Sequence, residues 1–483
     1  MLLSNLVKSI NFIDLFGDAE ISAVHSTSKA RDKNWLFICN EKEDKKLLRY
    51  VDEAIVNGAA AVAVCKKIDQ DIPQIVCADI RRAYSHIAAA FYGDPQKELK
   101  IIGVVGTNGK TTTTRICGEV FNACGVPTAV IGTLGASFKG REYPLDLTTP
   151  DPEDFFALIR QMKDDGAEVV VTEYSAHAIY YKKLDPVFFE ALIFTNCTQD
   201  HLDFFKDMES YAKVKKSIFT DENCKFKIIN ADDQCGRELI AKGLENTVAY
   251  GIKNPAEVLA LRIKIKASGT SFFLNAFDSV EHVSINLLGL FNVYNALAAI
   301  ALSHIFDLPL LKVVSAIKNM QAVSGRLERV GEYNGATVYI DYAHTPDGLE
   351  NALLTLSKIT ERNLVCLFGC GGNRDKGKRA AMGRVAGDIA DFVVVTTDNP
   401  RYEDADRIMS EIERGVREAS LDYILIKDRE KAIRYAVSCL TEGDVLLVAG
   451  KGAEEYQEIM GEKREFSDKA VIKSIVEGKV AVE

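Results

Sequence analysis

Short apolar, β-branched runs alternate along this chain with stretches of helical length. In the N-terminal part the runs are Trp35 to Cys39, Ala59 to Cys65 and Gln74 to Cys77, and Asp94-Pro95 breaks the pattern. A second series opens with Ile101 to Val105 and continues at Val169 to Thr172, Ala191 to Thr195 and Phe226 to Ile229. The stretch Asn292 to Phe306 predicts a helix that closes this series. Near Ser324-Gly325 a third series begins, with strands expected at Val338 to Ile340, Leu364 to Phe368, Phe392 to Thr396, Tyr423 to Ile426 and Val445 to Ala449. Helical segments, among them Ala405 to Ala419 and Glu430 to Leu440, lie between them. Strands without polar alternation belong to parallel sheets covered on both faces. The expected architecture is therefore α/β, in three domains spanning residues 1–97, 98–324 and 325–483.

A length of 483 residues agrees with that division, at roughly 150 residues per domain. Fifty-nine Lys and Arg against 69 Asp and Glu give a net charge of −10, which argues against a general nucleic-acid binder. Eleven cysteines without paired spacing read as reduced thiols rather than a disulfide framework. The most apolar stretch, Leu287 to Phe306, carries Asn292, Asn295, Ser303 and His304, so a buried helix is expected there and not a membrane span. No signal-peptide pattern is evident in Met1 to Gly17. A cytoplasmic protein without membrane insertion is expected.

The sharpest chemical signal is G-V-V-G-T-N-G-K-T-T-T-T, Gly103 to Thr114, between a strand and a predicted helix over Thr111 to Ala123. Gly106, Thr107, Asn108 and Gly109 form a turn whose amide groups can converge on phosphate oxygens. Lys110 supplies a cation, and Thr111 and Thr112 open the helix, Thr111 with a hydroxyl suited to Mg²⁺. Val104 stands at the first glycine of the usual GxxxxGKT spacing. Ligands of α/β sheets collect at the carboxyl ends of strands. Glu173 follows one such strand and His201 another, a carboxylate and an imidazole able to hold a second metal ion near the phosphates.

Together with L-T-T-P-D-P, E-Y-S-A-H-A, F-T-N-C-T-Q-D-H-L-D, I-N-A-D-D, G-L-F-N-V-Y-N, G-R-L-E-R-V, D-Y-A-H-T-P, G-C-G-G-N-R-D-K-G-K-R, D-N-P-R and G-K-G, these pieces resemble the Mur ligase family of peptidoglycan synthesis, over nearly the whole chain and most weakly before residue 97. The resemblance is to the ligases that add the third residue of the stem peptide. It implies an N-terminal UDP-substrate domain, a central ATPase domain and a Rossmann-like C-terminal domain. The implied reaction phosphorylates the D-Glu γ-carboxylate of UDP-MurNAc-L-Ala-D-Glu with ATP, and an amino acid then attacks the acyl phosphate.

By position, the resemblance makes Thr111 and Glu173 Mg²⁺ ligands with His201 at a second Mg²⁺. It makes Lys215 a CO₂-derived carbamate, although Lys213 and Lys216 stand close enough in sequence to leave the choice open. Lys110, Lys215, His201 and Arg326 become the catalytic set. Asn292 and Asn295 are implied adenine contacts, and Arg326 and Asp341 are groups brought to ATP by domain closure. His344 and Lys376 lie in the same matched strings. Ser28, Thr148, Thr149, Ser175 and Lys183 match contacts to the UDP-muramyl dipeptide. Here the chain departs from the usual pattern, with Thr27-Ser28-Lys29 for Asp-Ser-Arg, Ser175-Ala176-His177 for Ser-Ser-His, and Lys183 for Arg.

For the incoming amino acid, Arg374, Asp398, Asn399, Arg401, Gly450 and Glu454 match. D-N-P-R is the form associated with meso-diaminopimelate, because Arg401 offers a planar cation to the distal carboxylate that lysine lacks. Ala453 replaces the usual histidine. Diaminopimelate is the expected substrate and a monomer the expected state. An L-lysine-adding ligase of the same family is one alternative, and a non-enzymatic P-loop switch or scaffold is another.

Overall fold

The computed structural model describes residues 1–478 apart from 9, 11, 12 and 421. The predicted strands and helices are present, and among the described residues they assemble into three main sheets with a separate two-stranded hairpin. The first sheet runs Asp14–Phe16, Gln74–Val76, Ala59–Val64, Trp35–Ile38, Ala23–His25. It is parallel except at Asp14–Phe16.

The central sheet has 11 strands, and its middle explains the position of the phosphate loop. Strand Lys100–Val105 lies between Val169–Glu173 and Phe189–Phe194, all parallel. Its side chains alternate between two cores: Ile102 and Val104 face one, Ile101 and Val105 the other. Helices Lys110–Ala123, Leu290–Ile305 and Leu310–Asn319 cover the first face, and Pro152–Asp164 contributes to the second. The chain leaves neighbouring strands in opposite directions at this point, which opens a crevice at their carboxyl ends. The third sheet has six strands, with Asp-bearing Ala336–Asp341 and Val445–Ala449 side by side and helices on both faces.

Antiparallel strands that the apolar runs did not predict extend the parallel sheets at their edges. Thr128–Gly132 is followed by antiparallel strands Gly135–Phe138 and Arg141–Tyr143, and Val258–Lys266, Gly269–Ala276 and Ser279–Ile285 form an antiparallel meander at the other edge. The meander is covered on one face: Phe272 and Leu274 are buried while Phe273 between them is exposed. Glu328–Tyr333 likewise runs antiparallel at an edge of the third sheet. All eleven cysteines are free thiols. No helix among the described residues is long and apolar enough to cross a membrane.

Candidate active site

The three sheets surround one cleft of about 1650 Å³. Its floor is the phosphate loop. Gly109 takes a left-handed backbone at φ +86°, and a Cβ on Gly106 would lie 1.8 Å from Thr195 Oγ1. The loop is laced to the next strand end: Asn108 N–H donates to Asn196 Oδ1 at 2.8 Å, and Thr195 Oγ1 donates to Asn108 O at 2.7 Å. Lys110 Nζ donates to the carbonyls of Gly106 and Thr107 at 3.1 and 2.9 Å. Burial pulls its pKa below the ordinary lysine value, against the charges of Glu173 and Asp200.

Glu173 is buried at the end of its strand, accepting from Thr133 N–H at 2.8 Å and Thr133 Oγ1 at 3.1 Å. Burial pushes the His201 imidazole down to about 3, so it is neutral at physiological pH. Its ring meets His177 edge-on at 4.7 Å. Burial alone would raise the Asp200 carboxyl. His344, His201 and Lys378 outweigh that and hold it well below the usual range, with His344 Nε2 at 3.6 Å and Lys378 Nζ at 3.5 Å.

Lys215 does not line the cleft. Its ammonium lies wholly buried one layer behind, donating to Thr107 Oγ1 at 2.6 Å and standing 3.9 Å from the Tyr211 ring centroid. Lys213 is exposed and Lys216 pairs with Glu238, so among these three Lys215 is the lysine that reaches the phosphate loop. Burial lowers its pKa to about 7. The hydroxyl of Thr111 and the carboxylate of Glu173 are hard oxygen donors of the kind Mg²⁺ takes alongside water and phosphate. No group of three or more His, Cys, Asp or Glu side chains gathers around a point among the described residues. This donor set fits an ion held largely by its nucleotide.

The third domain reaches across the cleft. Arg326 Nη2 donates to Thr111 Oγ1 at 2.9 Å and its guanidinium lies over Tyr342. Asn108 Nδ2 donates to Asp347 at 2.7 Å, a contact between positions 239 apart. Asp341 lines the cleft but is held by backbone, accepting from Leu327 N–H at 2.6 Å and Ala343 N–H at 2.7 Å. Asn295 also lines the cleft and accepts from Thr113 Oγ1 at 3.0 Å. Asn292 lies behind it, bonded to Leu288 O and to Asn295.

Toward the first domain, Thr148, Thr149, Ser175 and Lys183 share one wall. Thr149 Oγ1 donates to Glu173 O at 2.8 Å, and Lys183 Nζ to Thr149 O at 3.1 Å. Ser28 is not on that wall: it is buried with its hydroxyl on Glu53, while Ser26, Asn40 and Arg81 line the cleft. At the opposite end Arg374, Asp398, Asn399, Arg401, Gly450 and Glu454 come together. Asn399 Nδ2 donates to Glu454 Oε2 at 2.9 Å, and buried Lys451 donates to Asn399 Oδ1 and Glu454 Oε2 at 3.1 and 3.0 Å. A Cβ on Gly450 would lie 2.5 Å from Asp398 Oδ2. Lys376 pairs with Glu403 away from the cleft, and Lys378 stands on it.

Residues 104–303 match the Mur ligase middle domain and residues 325–452 the Mur ligase glutamate ligase domain. Relatives named UDP-N-acetylmuramoyl-L-alanyl-D-glutamate–2,6-diaminopimelate ligase include one from Bacillus velezensis, 38% identical over 470 residues and covering 96% of both chains. The chain belongs to the Mur ligase family. A Mur ligase of the same name from Syntrophomonas wolfei is 39% identical over 476 residues, again covering 96% of each chain. A solved structure, also bearing that name, superposes with a TM-score of 0.68 at 29% identity, over 95% of both chains. Several cleft residues of this Mur ligase carried no separate signal in the sequence. Lys378 and Tyr294 sat inside matched strings, whereas Asp347 and Ser26 were visible only once folded.

Proposed function

We propose that this protein is an ATP-dependent ligase that joins meso-diaminopimelate to the D-Glu γ-carboxylate of UDP-MurNAc-L-Ala-D-Glu. The observation that carries the reading is a single cleft with a phosphate loop on its floor and the D-N-P-R pocket in one wall. The relatives' names supply the substrate class.

A carboxylate is a poor electrophile until it is phosphorylated, and phosphorylation first requires two anions to meet. Lys110 and Arg326 place fixed cations at that meeting point, and the loop amides add partial positive charge. The carboxylate oxygen attacks the γ-phosphorus and ADP leaves. The amine of the incoming amino acid then attacks the acyl carbon, and the amide forms as phosphate departs and a proton is released. Thr111 and Glu173 would hold Mg²⁺, which supplies charge neutralisation at the phosphates. Neutral His201 is in the protonation state a second ion would need.

Lys215 is suited to carbamate formation because a buried amine near pKa 7 is half uncharged at neutral pH. The lone pair adds to CO₂ and a proton leaves, turning a buried cation into an anion behind Thr107. Arg326, Asp347, His344 and Lys378 hold the third domain over the reactants and exclude water from the acyl phosphate. Asn295, which lines the cleft, would contact the purine, with Asn292 bracing it. At the far end Arg401 serves the distal carboxylate and Glu454 the distal ammonium. The proposed setting is the cytoplasm, where nucleotide-linked precursors are made.

The test offers meso-diaminopimelate and L-lysine together with ATP and the UDP-dipeptide, and reads the product by mass. Diaminopimelate should dominate, and Arg401→Ala should selectively lower its use. Equal or faster lysine incorporation by the wild type would overturn the specificity and leave the ligase chemistry standing.

A further inference from the structure

Arg401 stands in an unusual backbone setting. Its φ is +50°, a region that non-glycine residues seldom occupy. The hairpin of strands Tyr456–Ile459 and Glu462–Glu465 holds it there. Arg401 N–H donates to Glu458 O at 3.0 Å, and Met460 N–H donates back to Arg401 O at 2.8 Å. The same hairpin seizes the neighbouring pocket residues. Glu458 N–H donates to Asn399 Oδ1 at 2.9 Å, and Gln457 Nε2 donates to Asp398 O at 2.7 Å.

The side chain is held as well. Arg401 Nε donates to Glu458 Oε2 at 3.0 Å and Nη1 to Gly372 O at 2.9 Å. No hydrogen bond among the described residues uses Nη2. Two tethers fix the guanidinium plane while its terminal edge keeps free donors, the geometry a carboxylate accepts bidentately. Arg401 lines the cleft and Glu458 does not. Lys463, opposite Glu458 in the hairpin, does line it, with its ammonium 4.7 Å from the Tyr456 ring centroid.

We propose that Glu458 is a positioning residue for amino-acid selection: through the Nε bond it presents Arg401 to the distal carboxylate of a diamino-diacid. This rests on the diaminopimelate reading above. A free arginine must lose rotamer freedom to grip a carboxylate, and Glu458 takes that loss before the substrate arrives. L-lysine has no distal carboxylate and draws nothing from the arrangement. Glu458 therefore sets the discrimination between the two amino acids without touching either.

Steady-state kinetics of wild type, Glu458→Ala, Glu458→Gln and Arg401→Ala, with each substrate varied in turn, tests the proposal. Glu458→Ala should raise KM for diaminopimelate about ten- to hundredfold. Its kcat, its KM for ATP and the UDP-dipeptide, and its slow use of lysine should stay at wild-type values, because only binding of one group is lost. Glu458→Gln keeps an acceptor for Nε and should recover most of the affinity. An unchanged or lowered KM for diaminopimelate in Glu458→Ala overturns the proposal, as does an equal rise in all three KM values. If the wild type does not use diaminopimelate, or Arg401→Ala leaves its use intact, the reading beneath is what fails. If Arg401→Ala impairs it and Glu458→Ala does not, only the role of Glu458 fails.

Discussion

Lys215 concentrates several constraints in one side chain: complete burial, a hydroxyl partner on the phosphate loop and a pKa near 7. A solvated lysine is uncharged in under about one molecule in a thousand at neutral pH. On the proposed reading, the buried amine offers CO₂ a far larger uncharged fraction than an exposed lysine would. Its uncharged fraction grows as pH rises through about 7, so at fixed dissolved ¹³CO₂ the carbamate carbon signal should grow between about pH 6 and about pH 8. A signal that is flat, or that persists in Lys215→Ala, would contradict this. The linkage has the same sign. The unmodified folded state binds fewer protons than the unfolded chain between about 7 and about 10.4, so its stability rises with pH across that window. Lys215→Ala should also lose ligase activity by about a hundredfold, with partial recovery in formate or acetate. Unchanged activity would remove Lys215 from the chemistry.

The phosphate loop works as an element because it can approach its neighbour closely. Gly106→Ala would drive a Cβ to 1.8 Å from Thr195 Oγ1. It should abolish nucleotide binding in calorimetry and lower the melting temperature, and wild-type binding would show that the loop does not need this approach. The loop was legible in the sequence, because little besides phosphate binding requires Gly-Lys-Thr in a turn between an all-apolar strand and a helix. The parallel strands were legible too, since both their faces are buried and their apolar runs are unbroken. The meander from Val258 to Ile285 was not. Its outer face carries Arg262, Lys264 and Lys266, and a half-polar strand resembles a loop in composition. The hairpin behind Arg401 is rich in charged residues, Glu above all, and hid in the same way. Which way a small polar residue faces was also beyond the sequence. Ser28 turns to Glu53, 25 positions away, by tertiary packing, while Asn292 bonds back to Leu288 O one turn earlier and to Asn295.

Across the whole molecule, the third domain docks on the phosphate loop through Arg326–Thr111 and Asp347–Asn108, and on the segment after strand Phe189–Phe194 through the His344 and Lys378 contacts to Asp200. These join residues far apart in the chain, so the family resemblance could name Arg326 but not its partner. Arg326→Ala should lower kcat and shift the domains apart, read as a larger radius of gyration in small-angle scattering. A variant with unchanged scattering and unchanged kcat would show that closure does not depend on this arginine. Catalysis by this molecule turns on coupling three reactants in one cleft. The most direct measurement follows phosphate release and product mass together while ATP, UDP-MurNAc-L-Ala-D-Glu and meso-diaminopimelate are omitted one at a time. One UDP-tripeptide per phosphate is expected with all three present, and no sustained release when either acceptor is missing. Phosphate release indifferent to both acceptors, with no tripeptide formed, would contradict the coupling.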